Sequence, residues 1–266
     1  MSKIALYTTC DDKYIPYAIT ALLTFDDHNK DVFDMFILSK TMDTTYQLIC
    51  DKFNITWIEI DCSDDFPVDI NHTYPSECYW IFKGPELFYK KGYEYSISID
   101  CDVLCNTTLD LSWISKILFI GGAERRVSIS TLQFLYDFAE DTKDKYNELF
   151  ELTHMPCINT GFVVYNNKKC VSLNFYDNII KLNSIRYNNH LKPYVGDDDL
   201  FALFMSVYSD YKYAILNNKW NFFYNVNYNI NYPFYIAHFV NDKPWNVDNE
   251  VPIVKKWKSY YNKLFE

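Results

Sequence analysis

The first hundred residues alternate two kinds of apolar periodicity, and this constrains the fold more than any other property of the chain. Short apolar runs at Lys3–Thr8, Val32–Leu38, Ile55–Ile60 and Tyr95–Ile99 read as strands. Between them, Tyr14–Phe25, Asp43–Phe53 and Glu77–Tyr89 carry apolar residues at helical spacing. Strands separated by helices of this length predict an α/β fold, with a mainly parallel sheet flanked by helices on both faces. Ligands of such sheets sit beyond the carboxyl ends of the strands. Thr9–Asp12, after the first strand, and Asp100–Asp102, after the fourth, are therefore expected on one rim.

The rest of the chain is less regular. Ile117–Gly121, Cys157–Tyr165 and Tyr235–Val240 read as strands, and Val171–Leu182, Asp197–Val207 and Val251–Leu264 as helices. Phe134–Leu149 reads as a polar helical excursion. No internal repeat, low-complexity tract or Pro/Gly-rich linker interrupts the pattern. With 266 residues and 49% hydrophobic content, the chain can bury a sizeable core, and a single domain over 1–266 is expected.

Charge and cysteine usage exclude several classes. The formal net charge is −10 and the basic residues are scattered, which argues against a nucleic-acid partner or an anionic membrane surface. No apolar run has the length of a transmembrane segment, and the amino terminus enters a strand pattern without the shape of a signal peptide. The eight cysteines contain no Cys-x-x-Cys pair and read as small buried hydrophobes of a reducing compartment. A cytoplasmic location is the expectation.

Two acidic residues stand out against this background. Asp100 and Asp102 follow the apolar run Tyr95–Ile99, where a buried carboxylate pair is costly without a cation. Alternate residues of an extended backbone project to one side, so both carboxylates can reach one hard metal ion. Near the other end of the chain, His238 follows a short apolar strand and offers a third ligand. Mixed oxygen and imidazole ligation suits Mn²⁺ better than Mg²⁺. Lys243, further along the same loop, is placed to reach a phosphate bridging that metal, and Pro244 and Trp245 stiffen the loop. Blander readings stand beside these. Taken alone, a histidine such as His238 is more often a satisfied core or loop residue, and Asp197, Asp198 and Asp199 open a helix, where carboxylates are favoured anyway. The aromatic stretch Trp220–Tyr235 reads either as core or as an exposed aromatic platform.

Taken in order, these segments resemble glycosyltransferase family 8, the glycogenin and bacterial lipopolysaccharide galactosyltransferase group. Thr9-Cys10-Asp11-Asp12-Lys13-Tyr14 is similar to the family's uridine-binding opening, and Ile99-Asp100-Cys101-Asp102 to its Asp-x-Asp motif. Ile158-Asn159-Thr160-Gly161-Phe162, Gly196-Asp197-Asp198-Asp199-Leu200 and His238 to Trp245 are similar to three further elements of the family. The resemblance implies a Rossmann-like GT-A fold, with a nucleotide-sugar-binding half over 1–105 and an acceptor half over 106–266. It implies a retaining hexosyltransferase that moves glucose or galactose from a UDP-sugar donor to a glycan or protein hydroxyl, with Mn²⁺ or, less suited, Mg²⁺. A homodimer is compatible with it.

Residue by residue, the resemblance implies that Asp100, Asp102 and His238 hold the metal and that Asp100 also reaches the donor's ribose or sugar. Thr9, Asp11, Tyr14 and Cys101 lie on the nucleotide side, with Asp11 accepting from the uracil N3–H and Tyr14 stacking on the ring. Lys243 holds the diphosphate, and Lys83 falls near a basic residue on the donor side. Asn159, Asp197 and Asp198 lie around the transferred sugar. The chain departs from the pattern where Asp198 replaces a glutamine, which introduces a carboxylate able to attack or stabilise an anomeric centre. It also departs in its His238-to-Lys243 loop, which is shorter and has Asn241 in place of a glycine. These departures keep open a catalytically weak nucleotide-sugar-binding module of the same fold. A metal phosphohydrolase leaves Tyr14 and Lys243-Pro244-Trp245 unexplained.

Overall fold

Alternate residues of the first strand, β1 (Ile4–Thr9), enter two different cores. Ile4 and Leu6 pack with Ile19, Leu22, Ile37 and Ile97 on one side, while Ala5 and Tyr7 pack with Leu38, Trp80, Phe88 and Val163 on the other. A strand buried on both faces has to be apolar at both phases, and this one is. The structure, a computed structural model, describes residues 3–66, 75–125, 157–188, 196–208, 213–224, 233–247 and 251–266.

The main sheet has seven strands in the order β3-β2-β1-β4-β7-β6-β8. Its members are β1, β2 (Phe33–Ser39), β3 (Ile55–Glu59), β4 (Tyr95–Ile99), β6 (Ile120–Arg125), β7 (Cys157–Asn166) and β8 (Tyr213–Leu216). Only β7 runs against its neighbours β4 and β6; the other pairings are parallel. The mainly parallel α/β sheet expected from the alternation is therefore present. The helices are α1 (Ile15–His28), α2 (Thr44–Lys52), α3 (Gly84–Lys90), α4 (Asn167–Ser172), α5 (Phe175–Asn188), α6 (Asp197–Val207) and α7 (Pro252–Asn262). Among the described residues, no helix is long and apolar enough to cross a membrane.

A smaller sheet, β5-β10-β9, sits beside the rim. Its strands are β5 (Val103–Cys105), β9 (Phe222–Phe223) and β10 (Ile236–His238). β10 pairs antiparallel with β5 and parallel with β9. The closing helix α7 returns to α1, where the Tyr260 hydroxyl donates to Asp27 Oδ2 at 2.6 Å. Trp245 stacks on Tyr17 at 3.9 Å, which ties the loop carrying Lys243 to α1.

Several expected elements differ in detail. The segment Glu77–Tyr89 is a 3-10 stretch, Ser76–Lys83, followed by α3, rather than one α-helix. Pro85 has no N–H to give Ile81, whose carbonyl accepts instead from the Gly84 N–H and from the Tyr7 hydroxyl at 2.6 Å. Gly84 makes the approach feasible, since a Cβ there would stand 2.3 Å from the Tyr7 hydroxyl oxygen. The expected helix Val171–Leu182 is two helices broken at Asn174, whose φ of 50° is left-handed and tolerated by Asn. β6 starts at Ile120, later than the expected Ile117, because Ile114–Lys116 forms a 3-10 turn. β5, β8 and β9 are too short for periodicity to reveal. The excursion Phe134–Leu149 lies outside the described residues.

Candidate active site

The loop after β4 is held from two directions. The Asp100 N–H donates to the Gly161 carbonyl of β7 at 3.3 Å, and the Asp102 carbonyl accepts from the Phe239 N–H at 3.0 Å. The β5–β10 register, His238 opposite Val103, then brings the imidazole beside the acidic pair. His238 Nε2 lies 3.3 Å from Asp100 Oδ2 and 3.2 Å from Asp102 Oδ1. One ligand atom from each of the three residues falls within 4.8 Å of the others. Asp102 and His238 are buried, and Asp100 is half-buried on the cavity wall.

The acidic pair is compensated by the basic groups beside it. Burial alone would push the His238 imidazole down, but Asp102 and Asp100 outweigh it and hold it up to about 10. Burial alone would raise the Asp102 carboxyl; His238 and Lys243 reverse this and keep it below the ordinary carboxylate range. The Lys243 ammonium is paired directly with Asp102 Oδ2. Two carboxylates and an imidazole are a donor set suited to Mn²⁺ and related divalent ions. Gly161 makes room for the His238 imidazole, because a Cβ there would stand 2.4 Å from His238 Nδ1 and Cε1.

A cleft of roughly 340 Å³ opens in front of these groups. Thr9, Asp11, Tyr14, Asp100, Cys101, Asp102, Asp197 and Lys243 all line it, so the rim inferred from strand order holds residues from both ends of the chain. Asp11 Oδ1 accepts from the Tyr14 N–H at 3.0 Å and caps the short turn Asp12–Tyr14. The Thr9 hydroxyl donates to the Glu77 carbonyl at 2.9 Å. Cys101 Sγ is 3.4 Å from Thr8 Oγ1. Burial, Asp198 and Asp100, in that order, push the Asp197 carboxyl well above its usual range.

Other expected residues are placed elsewhere. Lys83 does not line the cleft; it pairs with Glu86 at 2.8 Å and lies 4.0 Å over the Tyr176 ring. Asp198 and Asn159 are buried behind the wall. Asp198 accepts from Asn159 Nδ2 at 2.9 Å and from the Thr160 N–H and hydroxyl, each at 2.8 Å. In the aromatic stretch, Trp220 is core, packed on Trp113, Phe162 and Tyr235, whereas Phe223 is 43% exposed beside His238. The motifs also miss Asn221, whose Oδ1 accepts from His238 Nδ1 at 2.9 Å. Nothing in an Asn-rich aromatic segment marks that residue.

The fold and the rim cleft together define a GT-A architecture. Crystal structures of the galactosyltransferase LgtC share it. One, with donor and acceptor sugar analogues, aligns with a TM-score of 0.68 over 99% of this chain and 97% of its own, at 15% identity. The glycosyltransferase GlyE of Streptococcus pneumoniae aligns with a TM-score of 0.61 over 99% of this chain and 63% of its own, at 17% identity. Mouse xyloside xylosyltransferase 1 also aligns at 0.61, covering 91% of this chain and 99% of its own, at 13% identity. At such identities the likeness establishes the fold. No family model matches the sequence, and no curated relative matches it either.

Proposed function

We propose that the chain is a metal-dependent glycosyltransferase that moves a hexose, glucose or galactose, from a UDP-sugar to a hydroxyl of a glycan or protein, with retention of configuration. The observation that carries this reading is the meeting of Asp100 and Asp102, which line a cleft on the rim of a GT-A sheet, with the buried imidazole of His238. LgtC, with the same fold, was crystallised with donor and acceptor sugar analogues, which supports a nucleotide-sugar cleft here.

Asp11 and Tyr14 sit at one end of the cleft and are assigned the base, with Asp11 accepting from the uracil N3–H and Tyr14 offering its ring. Lys243, now paired with Asp102, is assigned the diphosphate, whose charge competes for the ammonium. Bound to the three ligands, Mn²⁺ would act as a Lewis acid for the departing diphosphate. The sugar carries cationic character as its bond to phosphate breaks, and Asp100 and Asp197 are the wall carboxylates assigned to face it. Asp198 already accepts several hydrogen bonds behind the wall, which favours Asp197 over Asp198 for that contact. Asp198 and Asn159 then support the wall from behind.

The test is release of UDP from UDP-glucose and UDP-galactose with Mn²⁺, against an EDTA control and an Asp102→Asn variant, across a range of sugar acceptors. Turnover that depends on both the metal and Asp102 is expected. Donor binding without turnover on every acceptor would replace this reading with the non-catalytic module. Survival of transfer at a substantial rate in Asp198→Asn would exclude an obligatory carboxylate nucleophile at that position.

A further inference from the structure

Four buried side chains form an unbroken hydrogen-bonded series from Asp198 to the imidazole of His238. Asp198 Oδ2 accepts from Asn159 Nδ2 at 2.9 Å. Asn159 Oδ1 accepts from the Gly161 N–H at 3.0 Å and also from Asn221 Nδ2. Asn221 Oδ1 is 2.9 Å from His238 Nδ1. Asp198, Asn159, Asn221 and His238 are each no more than 5% exposed, so water does not substitute for these partners.

The series has a direction, and the direction has a consequence. Asn159 turns its NH₂ towards Asp198. The Gly161 backbone N–H, which only donates, fixes the same orientation from the other side. Asn159 therefore presents its oxygen to Asn221, which must answer with its NH₂ and direct its own oxygen at the ring. An amide oxygen facing Nδ1 requires a proton on Nδ1. The ring's remaining nitrogen, Nε2, is the one 3.2 Å from Asp102 Oδ1 and 3.3 Å from Asp100 Oδ2. Which ring nitrogen faces a metal is set by the hydrogen bond that the other makes.

We infer that Asn221 is a positioning residue that holds His238 in the tautomer whose Nε2 lone pair points at the metal, with its own orientation set through Asn159 by the Gly161 N–H and Asp198. The inference rests on the metal-site reading, and it connects Asp198 to the imidazole only through two amides.

The test compares the full chain with Asn221→Leu and Asn221→Asp. Mn²⁺ affinity is read from the EPR signal of free Mn²⁺, and integrity from circular dichroism. Leu is close to Asn in size but cannot accept, and Mn²⁺ affinity is expected to fall ~10–100-fold, as for other partners of metal-bound histidines. Asp keeps an acceptor for the Nδ1 proton but loses the NH₂ that answers Asn159 Oδ1, so its affinity is expected to fall less than that of the Leu variant. A packing role would reverse the order, with Leu tolerated and the buried charge harmful; that order overturns the inference.

A second arm needs no metal. In ¹⁵N-histidine-labelled protein, the His238 Nδ1 proton, assigned by its absence in His238→Gln, should exchange slowly and disappear in Asn221→Leu. A parent protein without this protected proton would overturn the inference whatever the metal does. A protected proton without Mn²⁺ binding would support the series and sink the metal reading instead.

Discussion

Replacing Gly161 with alanine puts one carbon atom where the metal site has no room for it. The added Cβ would stand 2.4 Å from His238 Nδ1 and Cε1 and 2.9 Å from Asn159 Oδ1. Ordinary contact begins near 3.4 Å, so the imidazole has to retreat by about 1 Å. That displacement stretches the 2.9 Å bond from Nδ1 to Asn221 beyond hydrogen-bonding range. It also carries Nε2 away from a coordination geometry whose tolerance is about 0.2 Å. Overpacking of this kind costs about 1–3 kcal/mol of stability, which a domain of this size survives. The effect on the metal should be larger: effective loss of one of three protein ligands is expected to weaken Mn²⁺ binding ~100-fold, or about 2.7 kcal/mol. Free-Mn²⁺ EPR titration of the purified variant reads this directly, with circular dichroism as the control for folding. A folded Gly161→Ala protein that binds Mn²⁺ within threefold of the parent would refute the geometry, because no ring position compatible with the added atom keeps all three ligands together.

Two pH effects follow from the same structure. His238 is held up to about 10 by its carboxylates, so it is protonated in the metal-free protein near neutrality, and Mn²⁺ must displace that proton. Binding at pH 7 to 8 should release about one proton, seen as calorimetric heats that vary with buffer ionisation enthalpy, and affinity should fall as pH is lowered; buffer-independent heats would count against the imidazole as a ligand. In the last turn of α1, the Tyr260 hydroxyl lowers the Asp27 pKa. A carboxyl depressed by folding stabilises fully above its unfolded pKa, about 4, and loses that contribution as pH falls through the folded value. Tyr260→Phe should therefore lower the melting temperature at pH 6, and the gap to the parent should shrink by pH 3; a gap that widened on acidification would contradict this sign.

Much of the architecture was legible because it depends on local periodicity. β1, β2 and β4 are apolar runs bounded by turns, and the helices between them carry their apolar residues at helical spacing. Boundaries shifted where a nonlocal partner intervened. Pro85 has no N–H for a regular helix, and Tyr7, 74 residues from Ile81 in the chain, donates to the Ile81 carbonyl. Strands of two or three residues, such as β5 and β9, are held by their pairing with β10 and carry no period of their own.

The site divides along the same line. Asp100 and Asp102 announce themselves in the sequence, since two acids after a buried strand require a compensating charge. Whether His238 and Lys243 supply it depends on the β5–β10 register and on the stacking of Trp245 over Tyr17, contacts between segments more than a hundred residues apart. The different placements of Asp197, on the cleft wall, and Asp198, buried behind it, follow from helical rotation against β7. Asn221 could be found only in three dimensions. The chain's own chemistry specifies a parallel sheet and a demand for a cation at one rim, because burial and periodicity act along neighbouring residues. Tertiary packing decides which distant groups meet that demand and which ring nitrogen they present, because hydrogen-bond direction exists only between partners already brought together.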